Sequence, residues 1–207
     1  MPRTARIIVP GRPHHIVQRG NRRMTTFFGD DDYRAYRTLL AEACRTAEVE
    51  VAAYCLMPNH VHLVLIPNTP TGLRVAVATT HRKYAAMINR RHGWTGHLWQ
   101  SRFHSQALLD DHFMAAVRYV ELNPVRARLV AAAWDWAWSS ATAHVTAHGD
   151  ELVTGMLPPE FKYAGVWSQF LSEPEVTAAT SPARRRSAPL DGMRWVADPR
   201  RTNFSTA

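Results

Sequence analysis

Met57 to Ile66 reads M-P-N-H-V-H-L-V-L-I, and this stretch decides the fold. Pro58-Asn59 is a tight-turn pair. Val49 to Met57 (V-E-V-A-A-Y-C-L-M) reads as a strand before it, and His60 to Ile66 as a strand after it. Together they predict an antiparallel hairpin. Side chains alternate across a strand, so His60, His62 and Val64 share one face, while Val61, Leu63 and Leu65 share the other. The apolar set belongs under helices. The two imidazoles then lie on an open face, pointing at whatever binds there.

Outward from the hairpin the pattern is regular. His14 to Arg19 (H-H-I-V-Q-R) is a short strand ending at Gly20-Asn21. Asp30 or Asp31 can cap a helix in which Tyr33, Tyr36, Leu39, Leu40 and Ala43 keep helical spacing, ending near Ala47. After the hairpin, Pro67 to Gly72 is a loop and Leu73 to about Arg91 a long helix. Gly93 to Gln100 is a glycine- and aromatic-containing loop, and Phe103 to Leu109 a strand. Asp110 or Asp111 caps a further helix that stops at Asn123, because Pro124 follows. Val125 to Val130 is a short helical turn. The order β-α-β-β-α-β predicts an α+β, ferredoxin-like antiparallel sheet with two helices on one face. The last helix and a C-terminal extension are added to it. The expected organisation is a main domain over 1–144, a short helical extension over 145–172 and a basic tail over 173–207, which contains S-P-A-R-R-R-S-A-P.

Bulk properties limit the partners. The 207 residues carry a formal net charge of +8, which favours an anionic partner. Apart from Lys83 and Lys162 every basic residue is Arg. Arginine grips phosphate bidentately and stacks on bases, although a GC-rich genome also produces that bias. Two cysteines, Cys44 and Cys55, in no metal-ligand spacing argue against a disulfide scaffold. There is no signal-peptide h-region and no apolar run approaching a bilayer span, so a cytoplasmic protein with no membrane partner is expected.

Two imidazoles on one strand face, about 7 Å apart by strand rise, can reach one divalent ion. With eleven histidines in the chain the H-x-H spacing also arises by chance. Sixty residues on, R-Y-V-E-L-N-P-V (Arg118 to Val125) places Tyr119 and Asn123 at i and i+4, on one side of the last helical turn. Laid beside the histidine strand, that helix would bring a hydroxyl and an amide oxygen to the imidazoles. A tyrosine near a helix end is more often packing. Glu121, two residues on, faces elsewhere and is not nominated as a base.

N-H-V-H followed by a single Y-x-x-x-N in a helix ending N-P-V-R-A resembles the single-tyrosine HUH transposases. More closely it resembles the REP-associated tyrosine transposases, relatives of a bacterial insertion-sequence enzyme. The similarity runs from about Pro10 to Ser140. It includes P-G-R-P-H-H-I-V-Q-R-G-N (Pro10 to Asn21), A-Y-C-L-M-P-N-H-V-H-L-V-L (Ala53 to Leu65), G-H-L-W-Q-S-R-F-H-S (Gly96 to Ser105) and W-S-S (Trp138 to Ser140). Ser101 stands where the family often has Gly.

The resemblance implies that His60, His62 and Asn123 bind a divalent metal, Mg²⁺ or Mn²⁺. It implies that Tyr119 attacks the DNA backbone to form a 5′-phosphotyrosine, which a later 3′-hydroxyl reverses. The expected substrate is single-stranded DNA or a DNA hairpin of the REP type. Arg19, Asn21, Arg22, Arg23 and Arg102 are candidates for DNA contact, and Trp94 and Trp99 for base stacking, with Trp99 and Phe103 as core residues the competing reading. Insertion-sequence relatives exchange the tyrosine helix between subunits. The REP-associated branch resembles monomers with the tyrosine in cis, and the extra C-terminal segment favours a monomer over a dimer here. Two other functions compete. One is a catalytically silent DNA-binding regulator on the same scaffold, and the other is a metal-dependent hydrolase that forms no covalent adduct.

Overall fold

The computed structural model describes residues 7–146, 148–155, 157–158 and 165–173. Four strands, β1 (His14–Arg19), β2 (Val49–Met57), β3 (His60–Pro67) and β4 (His104–Ala107), form one sheet in the order β2-β3-β1-β4. All three pairings are antiparallel. Helices α1 (Asp30–Thr46) and α2 (Gly72–His92) follow β1 and β3, and α3 (Asp110–Glu121) follows β4. The ferredoxin-like α+β arrangement expected from the element order is the one observed.

The first helical layer is built by alternation. Val61, Leu63 and Leu65 of β3 and Ile16 of β1 are fully buried with Tyr36 and Leu40 of α1 and Leu73, Val77, Tyr84 and Ile88 of α2. In β2 the parity changes within the strand. A register shift between Val51 and Ala53 inserts one residue, so Val51 and Tyr54, three apart, both join this core.

The second face is not open over β2 and β3, contrary to the expectation. It carries Cys55, Met57 and Val64, which need cover, and Val117 and Val120 of α3 supply it with Trp167. Trp167 belongs to α6 (Val166–Ser172), beyond α4 (Asn123–Arg126) and α5 (Ala141–Thr146). The outer edge of β2 is also closed. Leu56 N–H donates to Trp138 O, Ser140 N–H to Tyr54 O, and Thr154 and Gly155 N–H both to Val51 O. These bonds satisfy an edge that would otherwise template pairing with another chain. A Cβ on Gly155 would stand 3.1 Å from the Ala52 backbone, a crowded contact that glycine avoids.

Helix starts differ from expectation in a consistent way. Asp30 and Asp110 are the first helical residues and not the caps, which are Gly29 and Leu109. Carboxylates inside the first turn meet the positive end of the helix dipole, and Asp32 caps from within by accepting the Phe28 N–H at 2.8 Å. Beyond α3, the turn expected from Val125 begins at Asn123, because Pro124 fits a first helical turn. β4 is shorter than expected, since it pairs only with β1. Of the basic tail expected at 173–207, only Glu173 lies within the described residues. Among the described residues, no helix is long and apolar enough to cross a membrane.

Candidate active site

The hairpin turn delivers His60 to the sheet with its ring already oriented. Asn59 Nδ2 donates to Arg23 O at 3.0 Å, which turns Asn59 Oδ1 toward His60. That oxygen accepts from His60 Nδ1 at 2.6 Å, leaving the lone pair on Nε2. His60 pairs across the sheet with Arg19, and His62 with Val17. The two histidine rings lie 5.0 Å apart at 79°.

His62 has a second partner that the sequence reading did not single out. Its Nδ1 lies 3.0 Å from Nε2 of His15, and the rings stack at 5.3 Å and 9°. If His62 Nδ1 is the donor, its Nε2 carries the lone pair, as on His60. Burial first, then the neighbouring charges of His15, His60, Arg19 and Arg126, hold His62 well below the usual imidazole range. It is therefore neutral near pH 7, the form that ligates cations. The available signal was the strand period, which puts His15, Val17 and Arg19 on the histidine face.

Tyr119 arrives from the other side. Val117 and Val120 anchor α3 to the sheet, and Tyr119 sits between them in sequence at 6% exposure. Its ring lies 5.7 Å from that of His62 and 5.9 Å from that of His15, edge-on to both. Asn123 is the first residue of α4 and not part of the tyrosine helix, which ends at Glu121. It reaches back to α3, donating from Nδ2 to Tyr119 O at 2.9 Å, which leaves Oδ1 as an acceptor. Arg126, on α4, holds its guanidinium carbon 4.5 Å from the Tyr119 ring centre. Arg126 stands in the N-P-V-R-A stretch, whose sequence alone does not show this ring contact.

The donor set suits a divalent ion with open positions. Among the described residues, no three His, Cys, Asp or Glu side chains converge as a metal cage. An ion held by His60, His62 and the Asn123 amide oxygen would keep sites for water and phosphate, as catalytic metals do.

Glu121 faces away from this site and is fully buried. Oε1 accepts from Ser140 Oγ at 2.5 Å and lies 2.6 Å from His144 Nδ1, and Oε2 accepts from Trp167 Nε1 at 2.7 Å. One carboxylate thus ties the tyrosine helix to three points of the C-terminal segment.

The remaining candidates divide. Arg22 and Arg23 are exposed on a 3-10 turn over Asn21–Arg23 and adopt φ of 52° and 60°. The turn is fixed by Gly20, where a Cβ would collide with the Met24 carbonyl, and by Asn21 N–H donating to Leu98 O. Arg19 is half-buried and Arg102 exposed. Trp99 does not remain a base platform. It is 7% exposed, packs in the α1/α2 core with Phe103 and donates from Nε1 to His81 O. A ring so enclosed has no face to offer a base. Trp94 is 41% exposed.

A family model described as "Transposase IS200 like" matches residues 11–123, more than half the chain, from before β1 through Tyr119 and Asn123. A Haemophilus influenzae protein named as a REP-associated tyrosine transposase is 25% identical over 121 residues, 53% of this chain and 69% of that protein. A solved structure of a REP-associated tyrosine transposase bound to a REP hairpin has the same fold. It shows a TM-score of 0.57 and 19% identity, covering 76% of this chain and 94% of that one. The chain belongs to the IS200-like transposase family.

Proposed function

We propose that this transposase cleaves and rejoins single-stranded DNA through Tyr119, with a divalent cation at His60, His62 and Asn123, and that it acts at hairpins of the REP type. The observation that carries the reading is the placement of the Tyr119 ring 5.7 Å from the His62 ring of the same chain, under Arg126. The match to a relative bound to a REP hairpin supports the choice of DNA.

The chemistry follows from the side chains. Tyr119 Oη attacks the scissile phosphorus, the bond to the 3′-oxygen breaks, and a 5′-phosphotyrosine and a free 3′-hydroxyl result. Another 3′-hydroxyl reverses the step, releasing the phenol and restoring a phosphodiester without external energy. Mg²⁺ or Mn²⁺ supplies charge stabilisation at the phosphate. His15 and Asn59 hold the two histidines in orientation. Arg126 offers positive charge beside the phenol, where negative charge develops as the bond to phosphorus breaks on return.

The tyrosine in contact with histidines of its own chain supports a monomer acting in cis. We take residues 1–144 as the catalytic unit and 145–172 as a short helical extension of it, working in the cytoplasm. The test is a cleavage and joining assay with a labelled hairpin oligonucleotide from the gene's flanks, with and without Mg²⁺ or Mn²⁺. Metal-dependent cleavage and rejoining, absent in Tyr119→Phe, is expected. Cleavage retained in Tyr119→Phe would favour hydrolysis, and binding without cleavage of a verified site would favour a silent regulator.

A further inference from the structure

We propose that Phe28, His92 and Trp94 form a stacking platform for an unpaired base of the DNA strand, beside the His60 end of the sheet. This rests on the reading that the protein engages single-stranded DNA.

The platform begins in the sequence F-F-G-D. Phe27 enters the core at 4% exposure, while Phe28 turns out at 42%. Trp94, also 41% exposed, meets His92 at 4.4 Å and 23°. Phe28 closes the group, 4.7 Å from His92 and 5.7 Å from Trp94.

The rings are held in place. Asp32, at 1% exposure, accepts the Phe28 N–H and takes both terminal nitrogens of Arg91, at 2.6 and 2.7 Å. Arg91 in turn lies 6.0 Å from the Phe28 ring centre. Gly93, at φ 64°, ends α2, and Trp94 N–H donates to Asn89 O at 2.8 Å. Exposed rings fixed by a buried carboxylate and a helix cap lose little freedom on stacking.

The occupant follows from charge and size. A shallow depression leads from Phe28 and His92 along Gly29, Asp31 and Arg34. It holds three carboxylates against two guanidiniums, Arg34 shared by Asp30 and Asp31 and Arg91 on Asp32, so it repels a phosphate and suits the polar edge of a base. Arg90, at the end of α2, and Arg22 and Arg23, ahead of Phe28 in sequence, are exposed and can follow the backbone. Three side chains cannot furnish the roughly 800 Å² per partner of a stable protein interface, whereas one ring suffices for one base. The location connects to the active site. Phe27 N–H donates to Pro58 O, and the next two residues are Asn59 and His60.

The test uses a fifteen-residue oligothymidylate with one 5-iododeoxyuridine, cross-linked by light to the full-length protein and mapped by peptide mass spectrometry. Cross-links at Phe28, His92 or Trp94 are expected. Affinity for the same oligonucleotide should fall about tenfold in Phe28→Ala/Trp94→Ala and return in Phe28→Tyr/Trp94→Phe, with unchanged thermal unfolding. Cross-links confined to other residues, with unaltered affinity in the double alanine variant, would overturn the proposal. So would a concentration-dependent dimer that the variant abolishes. Failure of wild type to bind the oligonucleotide would overturn it as well. Formation of a Tyr119 adduct on a hairpin substrate, measured separately, tells whether the DNA-cleaving reading fails with it.

Discussion

On one face of β3, Val61, Leu63 and Leu65 are buried against α1 and α2. On the other, His62 meets Tyr119, His15 and His60. The two faces differ in what they demand. The apolar face needs volume and shape, which several residues can supply. The histidine face needs particular ring nitrogens at particular angles. Burial alone does not mark the second kind. His81 of α2 is also buried, on the apolar side, and is accounted for by the Tyr36 hydroxyl 2.9 Å from its Nε2.

The sharpest way to break this comparison is to exchange the effects of substitutions on the two faces. His62→Ala should reduce strand transfer to background and leave a cooperatively folded protein, and His15→Ala should cost about 10–100-fold in activity or metal affinity. Leu63→Ala should do the reverse, losing about 2–5 kcal/mol of stability with near-normal activity in the fraction that stays folded. Urea titration beside the strand-transfer assay reads both, and equal activity losses on the two faces would end the distinction. Next in size is Glu121→Ala, which leaves Ser140, His144 and Trp167 facing a void. A loss of about 3–5 kcal/mol is expected, with a smaller one for Glu121→Gln, measured by the same titration.

Acid should act through the buried imidazoles of the apolar side. Burial pushes His81 down to about 3 from 6.5, and it lowers His14 as well. Between those values the unfolded chain binds a proton that folded His81 refuses. Stability should therefore fall as pH drops below about 6.5, by up to about 1.4 kcal/mol per pH unit for each such histidine. A denaturant midpoint unchanged from pH 7 to pH 5 would contradict this. The smallest effect is expected at Ser101, which adopts φ 60° beside Arg102. Ser101→Gly relieves the left-handed strain but frees the unfolded chain, so the gain should stay within about 1 kcal/mol. A clear loss in thermal unfolding would show that the hydroxyl, which donates to Arg102 O, matters more than the backbone.

Much of this was readable in the residues. The strands and helices follow periods of two and 3.6, and the alternation through N-H-V-H put both histidines on one face. The four-residue spacing of Tyr119 and Asn123 brought the two together, although the helix breaks after Glu121 and Asn123 opens α4. What could not be read depends on segments distant in sequence. Nothing in R-Y-V-E-L shows that Glu121 will bond to residues 19 to 46 positions later, or that a C-terminal segment will close the β2 edge. Trp99 has the ring of a base platform and lies in the core because its own backbone bridges to Gly20. His15 and Arg126 lie in H-H-I-V-Q-R and N-P-V-R-A, but their ring contacts exist only once β1, β3, α3 and α4 are brought together.

The most direct test of Tyr119 as nucleophile is to trap the protein on a hairpin oligonucleotide with Mn²⁺, digest both components and locate the adduct by tandem mass spectrometry. The account predicts one modified peptide, with a nucleotide joined through its 5′-phosphate to Tyr119. An adduct at another residue, or cleavage of the DNA with no protein-linked nucleotide, would contradict it.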